Sequence, residues 1–296
     1  MKRTINYLTG SAIVLALFTF AGCSKDEAKL PAIDGYNNSN EVAATNLLAN
    51  WTFDDTNNER ISSTPPTKTY GTVGFTTGQI GKALQLTKGV LVYPAITKIN
   101  TANALNNFTI SLWVNVKGRK GGDGGFTAFF GLIPTGVTDI WGDAMALAET
   151  GRHLPTSDTL ELKNILNTHP AGGGNSLQDN IALKNGANGA FFLGANKWSH
   201  YVLTWDASTH KFKIYGNGVS IGAFDDRGTT AELIMAVPVQ AVFGSLASSD
   251  IGFTGAPTQP GFNPWATASI DDVRVYNTVL ADKDITALFN LGTAGR

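Results

Sequence analysis

From residue 47 onward the chain is a succession of short runs rich in Val, Ile, Phe, Tyr and Thr, separated by Gly, Asn and Asp. The clearest is Ser269-Ile270-Asp271-Asp272-Val273-Arg274-Val275-Tyr276-Asn277, in which Val273 and Val275 fall on one face and Asp272, Arg274 and Tyr276 on the other. A period of two is the mark of a strand with one face in a core and one in water. The same reading predicts strands over 47–53, 83–87, 90–93, 108–116, 127–132, 144–148, 181–183, 190–193, 198–205, 211–216, 219–224, 239–244 and 269–276. Gly216-Asn217-Gly218, between two of them, supplies the positive-φ residues of a tight hairpin. At the end the period changes. Leu280, Ile285, Leu288 and Phe289 stand at helical spacing, with Asp282 as a suitable N-cap, and predict a short closing helix. Residues 160–166 predict a further single helical turn.

Many short strands, in a chain with 33 glycines and only 15% charged residues, indicate an all-β fold. The expected architecture is a two-sheet antiparallel jelly-roll sandwich with first and last strands adjacent, long loop insertions and a short C-terminal helix. One domain, 45–296, accounts for this region. Net charge is −1, without the basic excess that binding a phosphate backbone requires, so nucleic acid is not an expected partner.

Lys2 and Arg3 precede an apolar run, 13–20, too short to span a bilayer, and 1–22 reads as a cleaved signal peptide. Phe20-Ala21-Gly22-Cys23 resembles a bacterial lipobox, although Phe20 stands where an aliphatic residue is usual. Cys23, the only cysteine, would carry the lipid. The alternative is a stray thiol behind an ordinary signal peptide. No intramolecular disulfide can form. Ser24-Lys25-Asp26-Glu27 resembles the acidic export signal of Bacteroidetes surface lipoproteins; the plainer reading is a solvated charge run. Residues 23–44, with Pro31, Gly35 and a polar run at 36–40, read as a flexible tether. The expected location is the bacterial outer membrane, lipid-anchored and facing the exterior.

The last strand and helix are the fifth of a series with Trp51-Thr52-Phe53-Asp54, Gly78-Gln79-Ile80-Gly81-Lys82-Ala83-Leu84, Phe108-Thr109-Ile110-Ser111-Leu112-Trp113-Val114 and Trp198-Ser199-His200-Tyr201-Val202-Leu203-Thr204-Trp205-Asp206. In that order they resemble the laminin G-like domains of the concanavalin A-like lectin/glucanase superfamily. The resemblance implies the sandwich and leaves function open, because that superfamily holds lectins, enzymes and interaction modules.

Glucanases of the superfamily carry their carboxylates on one strand as E-x-D-x-x-E, a spacing this chain lacks. The nearest acidic group, Asp139-Ile140-Trp141-Gly142-Asp143 with Glu149, suits a solvated turn or sugar hydrogen bonding better than acid catalysis. Gly218-Val219-Ser220-Ile221-Gly222 has the letters of a nucleophile elbow but lies in a hairpin, where that motif cannot work. His153, His169, His200 and His210 form no zinc-binding pair. No catalytic residue is assigned. The resemblance implies a structural calcium where first and last strands meet, with Asp54 and Asp271 as ligands, or Asp55 and Asp272 one register away. The competing reading has Asp54 starting a turn and Asp271 pairing with Arg274 or accepting backbone hydrogen bonds.

Residues 133–189 and 246–268 are longer than ordinary β connections, and a ligand site is expected there. The first holds Trp141 with Asp139, Asp143 and Arg152; the second holds Trp265 with Asn263. An indole for the C–H face of a sugar ring and planar polar groups for its hydroxyls are the chemistry of glycan recognition. The same tryptophans would equally serve to pack loops on the sandwich. The expected function is therefore a surface-anchored, non-enzymatic carbohydrate-binding lipoprotein. Its partner is a polysaccharide or glycan, it meets the membrane through its lipid only, and no cofactor beyond calcium is implied. A divergent glycoside hydrolase or lyase and a protein-binding adhesin are the alternatives.

Overall fold

The computed structural model describes residues 30–116, 126–150, 158–173, 177–180, 190–225 and 232–296. The strands are β1 (Leu47–Trp51), β2 (Lys68–Thr77), β3 (Lys82–Tyr93), β4 (Asn107–Asn115), β5 (Phe126–Ile133), β6 (Met145–Thr150), β7 (Leu160–Pro170), β8 (Leu177–Asn180), β9 (Ala190–Phe192), β10 (Ser199–Asp206), β11 (Lys211–Gly216), β12 (Val219–Asp225), β13 (Leu233–Met235), β14 (Gln240–Phe243) and β15 (Ala266–Tyr276), followed by helix α1 (Asp282–Thr293). Their hydrogen-bonded order is β12-β11-β10-β4-β15-β3-β14-β5-β6-β7-β13, with β1 on β15, β2 on β3, and β8 and β9 on β7.

β3 makes a sandwich of this sheet. Its residues 84–89 pair with β15 and its residues 91–93 with β14, so one strand passes from the first layer into the second. Between the layers lies the main core. Fully buried Trp51 has the rings of Phe243, Phe130 and Tyr93 at 5.4, 5.5 and 5.6 Å, and burying each such side chain contributes roughly 1.5–3 kcal/mol. First and last strands are neighbours, Trp51 opposite Val273 and Leu47 opposite Tyr276. The architecture is the expected jelly roll.

Several elements depart from expectation. Residues 83–87 and 90–93 are one strand, β3, carried through a bulge at Lys88. Leu84 and Leu86 face the main core before the bulge, Leu91 and Tyr93 after it, so the alternation changes parity there. β2 has no sequence signature because it is largely exposed on both faces. The helical turn expected at 160–166 is part of β7, where Leu160, Leu162 and Leu166 enter the main core at period two beside β6. A short apolar run fits either period, and the neighbouring strand decides. Ala281, not Asp282, occupies the N-cap position of α1, without a side-chain capping hydrogen bond; the Asp282 carboxylate accepts the Tyr215 hydroxyl at 2.8 Å instead. The strand expected at 181–183, the signal peptide and Cys23 lie outside the described residues.

The tether assignment also needs correction, since the folded unit runs from Ala32 to Arg296. Val42 is buried with Leu280, Ile285, Leu288 and Leu291, and Ile33 and Tyr36 pack on the same cluster. The Tyr36 hydroxyl donates to Asp284 at 2.8 Å, and Arg296 Nε to the Asn37 carbonyl at 2.9 Å. Isolated apolar anchors in a polar stretch have no period to read. This segment and α1 cover one end of the outer face of β10, β4 and β15, with Gly292 so close to Trp113 that a Cβ has no room. Among the described residues nothing covers the other end of that face in the same way.

Candidate functional site

Along β4 the outward side chains are Ser111, Trp113 and Asn115; along β15 they include Arg274, Ser269 and Thr267. Beneath the cover Arg274, Asp272 and Ser111 are taken up by hydrogen bonds within the fold. Arg274 Nε donates to Asp272 at 2.8 Å and Nη2 to the Ser39 hydroxyl at 2.8 Å, while Asn50 Nδ2 donates to the other Asp272 oxygen at 3.2 Å. Ser111 Oγ lies 2.8 Å from His200 Nε2, under Trp113 and Phe289. Burial drives the His200 pKa down to about 3, so the imidazole is neutral at ordinary pH. Ser111, His200 and Asp272 have the residue types of nucleophilic catalysis. At 2%, 0% and 4% exposure they admit no substrate.

The uncovered end holds a cleft of about 500 Å³. Its floor is a cross-strand row, Asn115 of β4 opposite Ser269 of β15, and Ser269 opposite Gln85 of β3. Ser269 Oγ donates to Gln85 Oε1 at 2.8 Å, and Gln85 Nε2 donates to the Leu86 carbonyl at 3.1 Å. The row is therefore preorganised. Trp265 forms a wall, its ring 5.6 Å from Tyr70, with Nε1 buried and without a partner among the described residues. Thr267 and Lys88 complete the rim. Among the described residues the lining contains no Asp, Glu or His. An aromatic wall over amides and hydroxyls can bind a polyol, but it offers no pair of groups for acid–base chemistry.

Of the expected ligand-binding residues the structure brings only Trp265 to this cleft. Asn263 is fully buried nearby, its side-chain amide without a partner among the described residues and its carbonyl accepting from Gln259 Nε2. Trp141 stacks on Phe262 at 5.9 Å with Lys163 Nζ 4.9 Å from its ring centre, so it ties the two long segments together. Asp139 closes a turn by accepting the Trp141 N–H at 3.1 Å. Asp143 is fully buried, accepts the Ala247 N–H at 3.2 Å, and has its pKa pushed well above the usual carboxylate range by burial. Arg152 lies outside the described residues. Sequence reasoning missed Gln85, Lys88, Asn115 and Ser269. For Gln85 and Asn115 the one signal was an outward place in the alternation, whereas for Lys88 and Ser269 bulges in β3 and β15 reverse the side that strict alternation gives them; only the strand order places the four side by side.

Asp54 and Asp271 converge on the turn at 78–82. Asp54 accepts the Lys82 N–H at 2.8 Å and Asp271 Oδ2 the Ile80 N–H at 2.9 Å. Asp271 is fully buried with Oδ1 unpartnered among the described residues, and burial raises its pKa to about 8. That buried oxygen is a fit position for a cation. Among the described residues no group of three or more His, Cys, Asp or Glu gathers, so a calcium would take most of its oxygens from backbone carbonyls.

The family model described as the Concanavalin A-like lectin/glucanases superfamily matches residues 93–286. No curated protein matches the chain. Among solved structures, domain 4 of an extracellular arabinanase from Geobacillus stearothermophilus, in complex with arabinotriose, is 18% identical with a TM-score of 0.48, covering 82% of this chain and 98% of that one. A structure of botulinum neurotoxin type C, whose cell entry depends on two ganglioside molecules, is 15% identical with a TM-score of 0.52, covering 83% and 50%. The binding domain of botulinum neurotoxin DC in complex with SialylT is 14% identical with a TM-score of 0.50, covering 83% and 51%. This chain spans about half the length of the toxin chains it matches, and the likeness is one of fold.

Proposed function

We propose that this chain, which belongs to the Concanavalin A-like lectin/glucanases superfamily, is a surface-anchored, non-enzymatic glycan-binding lipoprotein that holds its ligand in the cleft beside Trp265. One observation carries the reading: an indole wall over the Asn115–Ser269–Gln85 row, with no carboxylate in the lining among the described residues. A ring stacked on Trp265 would present its hydroxyls to that row, in which Ser269 and Gln85 are already fixed by hydrogen bonds. The toxin's dependence on gangliosides, a property of another protein with this sandwich, is in keeping with a glycan as partner. Cys23 behind its lipobox supplies the anchor, and a calcium on Asp271 and Asp54 would pin the turn at 78–82 without taking part in binding.

The test is calorimetric titration of the full chain in detergent against a polysaccharide panel, with a reducing-end assay on the same samples. Binding without new reducing ends, lost in Trp265→Ala, supports the reading. New reducing ends would transfer it to the hydrolase class, and silence across the panel would leave a protein-binding module. Cys23→Ser should release the chain from the membrane fraction. Chelation should lower the melting temperature if calcium is bound, and an unchanged melting temperature removes the metal.

A further inference from the structure

Among the described residues the cleft lining carries a single formal charge, the ammonium of Lys88, and the fold goes to some length to put it there. Leu84 and Leu86 point into the main core, so strict alternation would send residue 88 inward too. Instead β3 bulges. Thr87 pairs with Thr267 and Gly89 with Ala266, leaving Lys88 unopposed on β15. Its φ of 46° is a left-handed value that residues with a Cβ seldom adopt. Both flanks secure that conformation. Thr267 Oγ1 accepts the Lys88 N–H at 3.0 Å, and on β2 Gly71, at φ 63°, makes room for the Lys88 carbonyl, which any Cβ there would overlap.

A bulge re-aims a side chain, and here it turns the lysine from the core to the cleft rim. Among the described residues no carboxylate pairs with Lys88, and none lines the cleft. An uncommon backbone conformation, braced from two neighbouring strands, thus delivers an unpaired cation beside an indole and three polar side chains. Such an arrangement is complementary to an anion carried on a sugar ring.

We propose that the ligand of this cleft is an acidic glycan, its ring on Trp265 and its carboxylate or sulfate paired with Lys88. The proposal rests on the reading of the cleft as a glycan site. Lysine presents a compact point charge rather than a planar fork, so it serves either anion, and the probes separate the two.

The experiment titrates the full chain in detergent with two matched pairs: oligogalacturonate against its methyl ester, and dextran sulfate against dextran. At least one acidic member should bind about tenfold tighter than its neutral twin, the gain of one charge-assisted hydrogen bond. Its affinity should fall as salt rises from about 50 to about 500 mM. Lys88→Met should erase both the preference and the salt dependence while the melting temperature holds, and Trp265→Ala should weaken acidic and neutral members alike. Neutral twins that bind as tightly as the acids, or a preference that survives Lys88→Met, would overturn the acidic ligand and leave the glycan reading standing. Affinities untouched by Trp265→Ala, or no binding by any probe, would overturn both.

Discussion

Two ends of the same outer face of β4 and β15 have opposite fates. At one end Ser111 and Arg274 lie under α1 and residues 32–46, each held by hydrogen bonds within the protein. At the other, Asn115 and Ser269 stand in an open cleft. The strands are continuous and the residue types similar. What differs is the cover, and it decides whether a polar side chain stabilises the fold or remains available to a ligand. Polar residues on a strand do not mark a site by themselves; the open end of a partly covered face does.

The sharpest expected contrast is at the buried pair. Arg274→Ala leaves Asp272 charged and unpaired under the cover and should cost about 3–5 kcal/mol by chemical denaturation. A cost near zero would mean that water reaches this end and that the two ends do not differ. Acid should act next. Between its ordinary value of 6.5 and its folded value of about 3, His200 takes up a proton in the unfolded chain but not in the folded one. Stability is therefore lost as pH falls through that window, by a total of several kcal/mol at roughly 1.4 kcal/mol per pH unit. His200→Gln should flatten that part of the pH profile.

Gly71→Ala probes the open end through its backbone. It sets a Cβ against the Lys88 carbonyl at a positive φ, and should cost roughly 1–3 kcal/mol while weakening ligand binding. The smallest stability effect belongs to the cleft floor. Asn115→Ala should change stability by less than about 0.5 kcal/mol and still reduce glycan affinity in the same titration. If it instead destabilised the chain as Arg274→Ala does, the openness of that end would be wrong.

The sandwich was largely legible because most strands have one face in a core, and burial on one side writes a period of two into the sequence. Trp51, Val273 and Val275 are where that pattern puts them. β2 escaped because exposure on both faces writes nothing, and β7 was misread because a run such as Leu160 to Leu166 satisfies two periods at once. The site was far less legible. Aromatics and acids in long loops drew attention to Trp141 and Asp143, which serve packing, whereas the cleft is assembled from single outward residues of three strands distant in sequence. Adjacency of Gln85, Ser269 and Asn115 is a property of strand order, and no local spacing encodes it. Trp265 was within reach because it lies next to β15 and carries an indole, a group that local reading can weigh.

The segment 32–46 has a mechanical consequence. Were the chain anchored as proposed, a pull on bound ligand would be resisted at Ala32, and the load would meet first the contacts of Ile33, Asp34 and Tyr36 with α1 and then those of Asn37 and Val42. Loaded from one end, such contacts give way one after another like a zipper, while the ladder between β1 and β15 is still whole. Peeling this segment would pay out about 50 Å of slack at some 3.4 Å per residue, absorbing a tug before the sandwich bears it. Single-molecule stretching should show a small early step ahead of the main rupture, and a trace without that step would assign the segment to the rupture itself.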